Sequence, residues 1–317
     1  MLSAALTACD EVIDLRGAGV SPTDLGSLYT TLLLNRPELF HVAPRFSYGY
    51  TEAEGGRTVT EVYPVYTLTG ASLTAARALY RDTVATILDE MAAVFGDVSR
   101  TEADTVLYLH DLLADRYVYD SRPEEEANAD AYTFFRDGTG LCQAYALAFS
   151  ALCKGAGLEA HTVVSDTMDH AWNHVRVEEV WYHVDVTRDD PIPAEGGSST
   201  VHHARLLRSD RGMEELGYCD FACAEGHACT DTRFEAEDGG GVLEDIVRAM
   251  RFSDGRWVGM DGSGGVVATK FEKSVIFTGK VGDTDLNGVV EPWDLLAVYD
   301  AEMPEAWREW IRGRLVE

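Results

Sequence analysis

The chain has 317 residues, of which 46% are apolar and 25% are charged, the composition of an ordinary globular protein. At about 150 residues per domain, this length predicts two domains. The 26 Lys and Arg residues against 54 Asp and Glu residues leave a formal net charge of −28. Nucleic acids and anionic membrane surfaces repel such a chain, so we exclude both as partners. Six cysteines are too few for a fold that depends on disulfides.

The sequence shows no targeting or membrane segment. No apolar run approaches the roughly 18 to 20 residues that span a bilayer. The first residues, MLSAALTACDEVIDL, lack the basic and long apolar segments of a signal peptide. The acidic composition fits a protein that binds cations, or a soluble secreted protein whose signal peptide is not present in this chain. We expect a monomer.

The first part of the chain, residues 1–70, is predicted to form a small mixed α/β module. Alternating apolar residues over 46–66, interrupted by a turn at Glu54–Arg57, predict a β-hairpin within it. A helix is then predicted over Ser72–Phe95, because apolar residues recur there on one helical face.

A second helix is predicted directly afterwards. Ser99 and Glu102 have the spacing of a capping box, which predicts the helix start. The apolar face that follows is predicted to be buried and comprises Val106, Leu107, His110, Leu113 and Ala114.

The middle of the chain predicts the central layer of the fold. A glycine-rich turn, Gly138–Cys142, leads into a predicted helix over Gln143–Lys154. The predicted strands that follow are Ala160–Val164, His170–Val177 and Val180–Thr187. A second hairpin is predicted over 256–271. This order favours an α+β fold, with one central helix against an antiparallel sheet, over a doubly wound parallel sheet.

Cys142 is a candidate nucleophile because it lies where the turn enters the helix. Unpaired N–H groups and the helix dipole stabilise a thiolate there, and the same groups can hold an oxyanion. A thiolate nucleophile also needs a general base, and the base needs an orienting carboxylate. A tight turn at Glu178–Glu179 would place His170 and Asp185 on neighbouring antiparallel strands, within a residue or two of register. A hydrogen bond between them is then easily formed.

Taken singly, these residues also have structural explanations. A cysteine at a helix start is more often a small buried apolar residue than a nucleophile. We interpret Cys153, deep in the same helix, as part of the core. His174 and His183 lie on the same two predicted strands as His170 and Asp185. Either could contact the candidate catalytic residues without being catalytic itself. Trp172 is either the wall of an acyl pocket or a core aromatic residue.

Three segments in order resemble the bacterial transglutaminase-like superfamily. They are Gly140-Leu-Cys-Gln-Ala-Tyr-Ala, then His170-Ala-Trp-Asn, then Trp181-Tyr-His-Val-Asp-Val-Thr-Arg-Asp-Asp-Pro191. The resemblance covers roughly residues 70–215. It implies a papain-like core with the nucleophile on the central helix and the histidine and aspartate on the sheet.

The resemblance also implies the role of each residue. Cys142 would be the nucleophile, His170 the base and Asp185 the orienting carboxylate. Gln143 and Trp172 are candidate substrate-binding residues. One difference from the family pattern is Ala144, where we expect glycine. A methyl group there is expected to be harmless, and the alternative is that it narrows the site.

The reaction implied is acyl transfer at a protein or peptide amide through a thioester on Cys142. Transglutaminases and papain-like proteases share that first step and differ in whether an amine or water resolves the thioester. Two alternatives stay open, since fold does not fix function. One is a cysteine peptidase or amidase that hydrolyses peptides or peptidoglycan stem peptides, and the other is a non-catalytic extracellular module that binds peptide or glycan.

The C-terminal segment predicts a calcium loop. Oxygen ligands recur over Gly282–Asp294 at the spacing of an EF-hand, with Gly288 at the sharp turn. The candidate ligands are Asp283, Asp285, Asn287, the carbonyl of Val289, Glu291 and Asp294. Calcium would be structural, and no cofactor is expected for catalysis. The alternative is an acidic, solvated turn before a helix.

This loop, with Asp294 in place of the usual glutamate and followed by Leu-Leu-Ala, resembles a dockerin repeat. Dockerins attach secreted enzymes to cohesin-bearing scaffolds, which makes such a scaffold a possible partner. They contain two repeats, however, and this sequence shows one. Together the two resemblances imply a secreted or cell-surface bacterial protein.

A cysteine-rich group occurs before that segment. Cys219, Cys223, His227 and Cys229 lie within eleven residues. Such a group can bind zinc, but the spacing matches no common zinc finger. A disulfide among these cysteines and free thiols are the alternatives.

We therefore predict four consecutive parts. They are the N-terminal module (1–70), a transglutaminase-like catalytic core (71–235), a β-hairpin extension (236–279), and a single dockerin-like calcium loop with a terminal helix (280–317).

Overall fold

The computed structural model describes most of the first 235 residues and three short strands after them. The described ranges are 1–53, 56–95, 100–122, 127–190, 201–221, 227–235, 248–251, 257–260 and 266–269. The predicted calcium loop and dockerin-like repeat lie outside these residues, and so does Cys223.

The described helices are α1 (Leu2–Ala8), α2 (Pro22–Asn35), α3 (Gly70–Phe95), α4 (Glu102–Arg116), α5 (Ala131–Asp137), α6 (Cys142–Gly155), α7 (Val186–Asp189) and α8 (Asp210–Glu215), with a 3₁₀ turn at Pro37–Leu39. The described strands are β1 (Ile13–Asp14), β2 (Val42–Ala53), β3 (Gly56–Tyr66), β4 (Val118–Tyr119), β5 (Thr139–Gly140), β6 (Ala160–Ser165), β7 (His170–Val177), β8 (Val180–Val184), β9 (Leu206–Arg208), β10 (Arg248–Arg251), β11 (Trp257–Met260) and β12 (Val266–Thr269). Within the described part of the chain, no helix is long and apolar enough to cross a bilayer.

The N-terminal residues form the predicted hairpin. Strands β2 and β3 pair antiparallel, and β1 adds to the far edge of β3. Helix α2 packs on this sheet through the buried side chains of Leu25 and Tyr29. Serine fits the start of α2 because the Ser21 hydroxyl accepts the Asp24 N–H at 3.1 Å.

The central layer has the predicted α+β arrangement. Helix α6 packs against the antiparallel sheet β6-β7-β8-β9. Side chains of β7 and β8 alternate between two faces, and Val175 and Val184 belong to the core around α6. Asn173 fastens strand to helix, because its Nδ2 donates to the Ala146 carbonyl and to the Ser150 hydroxyl, both at 2.9 Å.

The opposite face of this sheet is also covered. Trp172 on β7 packs with Met213 of α8 and with Tyr218 in a small buried cluster. The sheet therefore lies between α6 on one side and the segment that follows β9 on the other.

The predicted capping box at Ser99 is wrong in position. Helix α4 is capped by Thr101, whose hydroxyl accepts the Asp104 N–H at 3.1 Å, while the Asp104 carboxylate accepts the Thr101 N–H at 2.8 Å. The Asp104 side chain accepts the N-cap N–H as a glutamate would. A capping box that begins at Thr101 is therefore an alternative to the one predicted at Ser99.

The predicted strand Val180–Thr187 is too long. Strand β8 ends at Val184, and Asp185 becomes the N-cap of the short helix α7 by accepting the Arg188 N–H at 3.2 Å. The second predicted hairpin is present, since β11 and β12 pair antiparallel with Met260 opposite Val266.

Candidate active site

Cys142 is the first residue of α6, and its side chain is partly exposed. The turn before it is fixed by two local features. Gly138 ends α5 in the left-handed region, with φ of 78°, where glycine has no steric penalty. The Leu141 N–H then donates to the Asn128 carbonyl at 2.9 Å. The start of α6 is thus held in place without a side-chain cap.

Gly140 leaves no space for a side chain two residues before Cys142. A Cβ atom there would lie 2.6 Å from Cδ2 of Phe134 and 2.7 Å from Cβ of Ala144. Ala144 is fully buried and points to this contact in the core. Its methyl group therefore faces the interior and does not narrow the site.

His170 and Asp185 meet at the open end of the β7–β8 hairpin. The turn is two residues long, and Glu178 and Glu179 have φ of 50° and 69°, as the twist of such a hairpin requires. Asn173 lies opposite Val184, which places His170 and Asp185 diagonally across the pair. The His170 Nε2–H donates to Asp185 Oδ2 at 2.6 Å.

The environment of His170 favours its protonated form. Burial lowers the pKa of this imidazole, but its interactions with Asp185 and Cys142 outweigh burial and raise it to about 9. Since Nε2 is used by Asp185, Nδ1 is the nitrogen left for the Cys142 sulfur. The structure therefore brings all three predicted residues together in the order sulfur, imidazole, carboxylate.

Asp185 is fully buried and has three donors. Its carboxylate accepts hydrogen bonds from His170, from the Arg188 N–H and from the Tyr218 hydroxyl. Burial raises the pKa of the carboxyl group, and these hydrogen bonds outweigh it and lower the pKa below its usual value. The group is thus an anion that can hold an imidazolium.

Tyr218 is a functional residue that sequence reasoning missed. Its ring packs edge-on against Trp172, with centroids 5.1 Å apart, and the Arg188 guanidinium lies 4.7 Å from its centre. Burial and the adjacent Asp185 charge raise the pKa of this phenol, so it stays a hydrogen-bond donor. No motif marks it, since it is 33 residues from Asp185 in the chain.

The two candidate substrate-binding residues have different surroundings. Gln143 is exposed, and its Nε2 donates to the Ala129 carbonyl at 3.1 Å. Trp172 is 1% exposed and stacks on His170, with ring centroids 5.6 Å apart. It therefore supports the imidazole from the interior, while Gln143 lies on the surface beside Cys142.

Cys153 lies in the core, as the sequence predicts. The side chain is fully buried, and burial raises the pKa of its thiol far above the usual range. Cys219 by contrast is exposed. The chain thus offers a buried and an exposed thiol for comparison with Cys142.

A buried charged network lies behind the site. His110 Nδ1 and His203 Nε2 both lie 2.8 Å from Asp111 Oδ1, and the Asp189 carboxylate lies 3.3 Å from His110 Nε2. Arg205 pairs with the other oxygen of Asp189 at 3.1 Å. Because Asp189 ends α7 and Asp185 begins it, the network holds the helix that positions the carboxylate. Only His110 was predicted to be buried from the sequence.

Residues 92–186 match the model of the Transglutaminase-like superfamily, and this segment contains Cys142, His170 and Asp185. The segment is a transglutaminase-like domain. No curated protein matches the chain.

Three solved structures each resemble about half of this chain. A crystal structure of a TGase has 14% identity and a TM-score of 0.30, with 50% of this chain and 47% of that chain covered. A provisionally described cysteine protease from Cytophaga hutchinsonii has 14% identity and a TM-score of 0.28, with coverage of 46% and 63%. A provisionally described protease from Parabacteroides distasonis has 14% identity and a TM-score of 0.26, with coverage of 50% and 38%. The chain spans less than two thirds of the length of each.

Proposed function

We propose that the protein is a transglutaminase-like cysteine enzyme that transfers acyl groups from protein or peptide amides through a thioester on Cys142. The observation that carries this proposal is the placement of the His170 imidazole between the Cys142 thiol and the buried Asp185 carboxylate. The family match over residues 92–186 includes all three residues and supports the same reading.

The first half-reaction starts from the ion pair in which the thiol proton of Cys142 is held on Nδ1 of His170. An imidazolium beside a cysteine is the partner that stabilises a thiolate in cysteine enzymes. The sulfur then attacks the amide carbonyl carbon, and the carbonyl π electrons move to oxygen. The first N–H groups of α6 have no partner within the helix, so they are suited to hold that oxyanion.

Collapse of the intermediate forms the thioester and breaks the C–N bond. His170 gives its proton to the departing amine and becomes the base for the second half-reaction. A primary amine or a water molecule then loses a proton to His170 and attacks the thioester carbonyl, which releases Cys142. Asp185 holds the ring in one orientation throughout, because its hydrogen bond fixes Nε2 as the protonated nitrogen.

A short alkylation pulse tests the nucleophile. We expect iodoacetamide to modify Cys142 faster than Cys219, although Cys219 is the more exposed thiol. In His170→Ala the Cys142 rate should fall to that of Cys219 or below, with Cys219 unchanged. Mass spectrometry of the peptides measures both sites in one sample. Equal rates in the unmodified protein would overturn the proposal.

A second assay identifies the acceptor. The protein is incubated with casein and a fluorescent primary amine, with Cys142→Ala as the matched control. Amine incorporation that disappears in the control supports acyl transfer. Release of casein peptides or ammonia without incorporation shows that water resolves the thioester and replaces transferase with hydrolase. A fast-alkylating Cys142 with neither product from casein or from a panel of cell-wall peptides would contradict catalysis at amides.

A further inference from the structure

Four side chains of the types that bind metals lie close together on the sheet face opposite α6, outside the candidate active site. His174 on β7 and His183 on β8 are directly opposite each other. Asp210 begins α8, and Cys229 comes from the segment after it. One donor atom from each of the four side chains lies within 4.8 Å of all the others. His174, His183 and Cys229 are buried, while the Asp210 side chain is 33% exposed.

His174 shows that the group is incomplete without a ligand. The residue is 1% exposed, and neither ring nitrogen has a hydrogen-bond partner among the described residues. An unsatisfied buried polar group costs free energy, so a native structure normally provides it with a partner. A metal ion bound to one imidazole nitrogen would provide that partner.

We propose that His174, Asp210 and Cys229 bind one divalent cation of the zinc type. Imidazole, carboxylate and thiolate are the donors that zinc prefers. The two anionic ligands neutralise the dication, so the buried site carries no net charge. Zinc bond lengths place tetrahedral donor atoms about 3.3 to 3.8 Å apart. Donors that already lie within 4.8 Å reach that spacing by small side-chain rotations.

His183 has the geometry of an outer partner that orients Asp210. The Trp172 indole N–H donates to His183 Nδ1 at 2.9 Å, so the proton of the neutral ring is on Nε2. That N–H donates to Asp210 Oδ1, also at 2.9 Å. Because both nitrogens of His183 are used in hydrogen bonds, this ring orients the Asp210 carboxylate and does not contact the ion. The partly exposed Asp210 leaves the fourth position open to water.

The ion would link the segment that follows β9, here called the covering segment, to strand β7 of the sheet. Asp210 and Cys229 are already joined by two hydrogen bonds. The Asp210 N–H donates to the Cys229 backbone carbonyl at 2.7 Å, and the Cys229 N–H donates to the side-chain Oδ2 of Asp210 at 3.1 Å. The loop that they close contains Tyr218, which donates to Asp185. Bound metal at His174 therefore stabilises the part of the fold that covers the candidate triad.

This set differs from the zinc group that the sequence indicated. Cys229 belongs to both, but Cys219 is exposed and its backbone N–H contacts the Met168 sulfur. His227 stacks on Trp181 with ring centroids 3.8 Å apart. The partners of Cys229 come instead from strand β7 and from the start of α8, which spacing along the chain does not reveal.

Metal analysis of the full chain tests the site. The protein is stripped with a chelator, loaded with zinc, desalted, and measured by plasma mass spectrometry. We expect one equivalent per chain, retained in His161→Gln and Cys142→Ser, which are a histidine beside His174 and the candidate nucleophile. His174→Gln and Cys229→Ser should lose the bound ion. His183→Gln should retain it with affinity lowered about 10- to 100-fold, as for outer partners in general.

Cobalt provides a readout that does not depend on the folding of a variant. Cobalt bound to the unmodified chain should show a thiolate charge-transfer band, which alkylation of Cys142 leaves unchanged and added zinc removes. Three results would overturn the proposal: no zinc retained by the unmodified chain, full retention in folded Cys229→Ser, or a disulfide that joins Cys229 to Cys223.

Discussion

The Tyr218 hydroxyl donates to the Asp185 oxygen that also accepts the His170 Nε2–H. Two donors on one buried oxygen spread the negative charge and fix the carboxylate in a single orientation. Tyr218 is thus a positioning residue, which acts on Cys142 through Asp185 and His170. The contact also joins the covering segment to the end of β8, so the site depends on both faces of the sheet.

Tyr218→Phe removes one donor and keeps the ring. We expect the Asp185 pKa to rise, because the charged carboxylate loses a hydrogen bond, typically worth about 1.5–3 kcal/mol with a charged partner. The acid limb of the Cys142 alkylation rate should therefore move to higher pH. A purely structural role would lower the rate equally at every pH. Tyr29→Phe, which loses a buried hydroxyl bonded to the Ala43 carbonyl in the N-terminal module, is the control.

Gly140→Ala tests how tightly the start of α6 is packed. The new methyl group would meet Phe134 and Ala144 at 2.6 and 2.7 Å, so the turn must shift. Overpacking of this kind costs about 1–3 kcal/mol, and the shift moves Cys142 away from His170. Urea unfolding and the alkylation rate should both reveal the loss. Gly26→Ala in α2, where nothing lies within 4 Å, should instead stabilise the helix by about 0.5–1 kcal/mol. Equal effects of the two changes would contradict this packing.

Local patterns explain which parts of the site could be predicted. The predicted and observed bounds of β7, His170–Val177, are the same, because alternation and a tight turn define a hairpin strand within a few residues. Once β7 and β8 pair, the contact of His170 with Asp185 follows from register. The position of the candidate nucleophile, Cys142, follows equally from the glycine-rich turn before it.

Contacts between residues far apart in the sequence have no such local pattern. His203 meets Asp111 across 92 residues, and Tyr218 meets Asp185 across 33. Each of these residues is ordinary in its own segment, and only the packing of α7 and α8 brings it to its partner. The end of β8 was misplaced for a related reason, since Asp185 reads as a strand residue until its cap on α7 is seen.

The C-terminal calcium loop stays a prediction that one substitution tests. Asp283→Ala removes the first ligand of the predicted loop, so equilibrium dialysis should show the loss of one bound calcium per chain. Asp89→Ala removes one exposed carboxylate from α3 and should leave calcium binding unchanged. Zinc content measured in the same samples should not differ between the two variants. Identical calcium binding in both would exclude the loop as a calcium site.

The buried network around His110 makes stability depend on pH in a defined direction. Burial lowers the pKa of His110, but its contacts with Asp111 and Asp189 outweigh burial and raise the pKa to about 9, against 6.5 for the unfolded chain. The folded state therefore binds the proton more tightly. The resulting stabilisation is fully present below about pH 6.5 and is lost as the pH rises through about 9.

His110→Gln removes this contribution. We expect the unfolding free energy of the unmodified protein to exceed that of the variant most at pH 6, with the difference shrinking by about 3 kcal/mol by pH 10. Urea unfolding across this range measures the difference, in which the parallel contribution of His170 cancels. His202→Gln removes a histidine that has no ion pair among the described residues and is the matched control for the substitution itself. A His110→Gln difference that stays constant from pH 6 to 10 would contradict a raised pKa of His110 in the folded state.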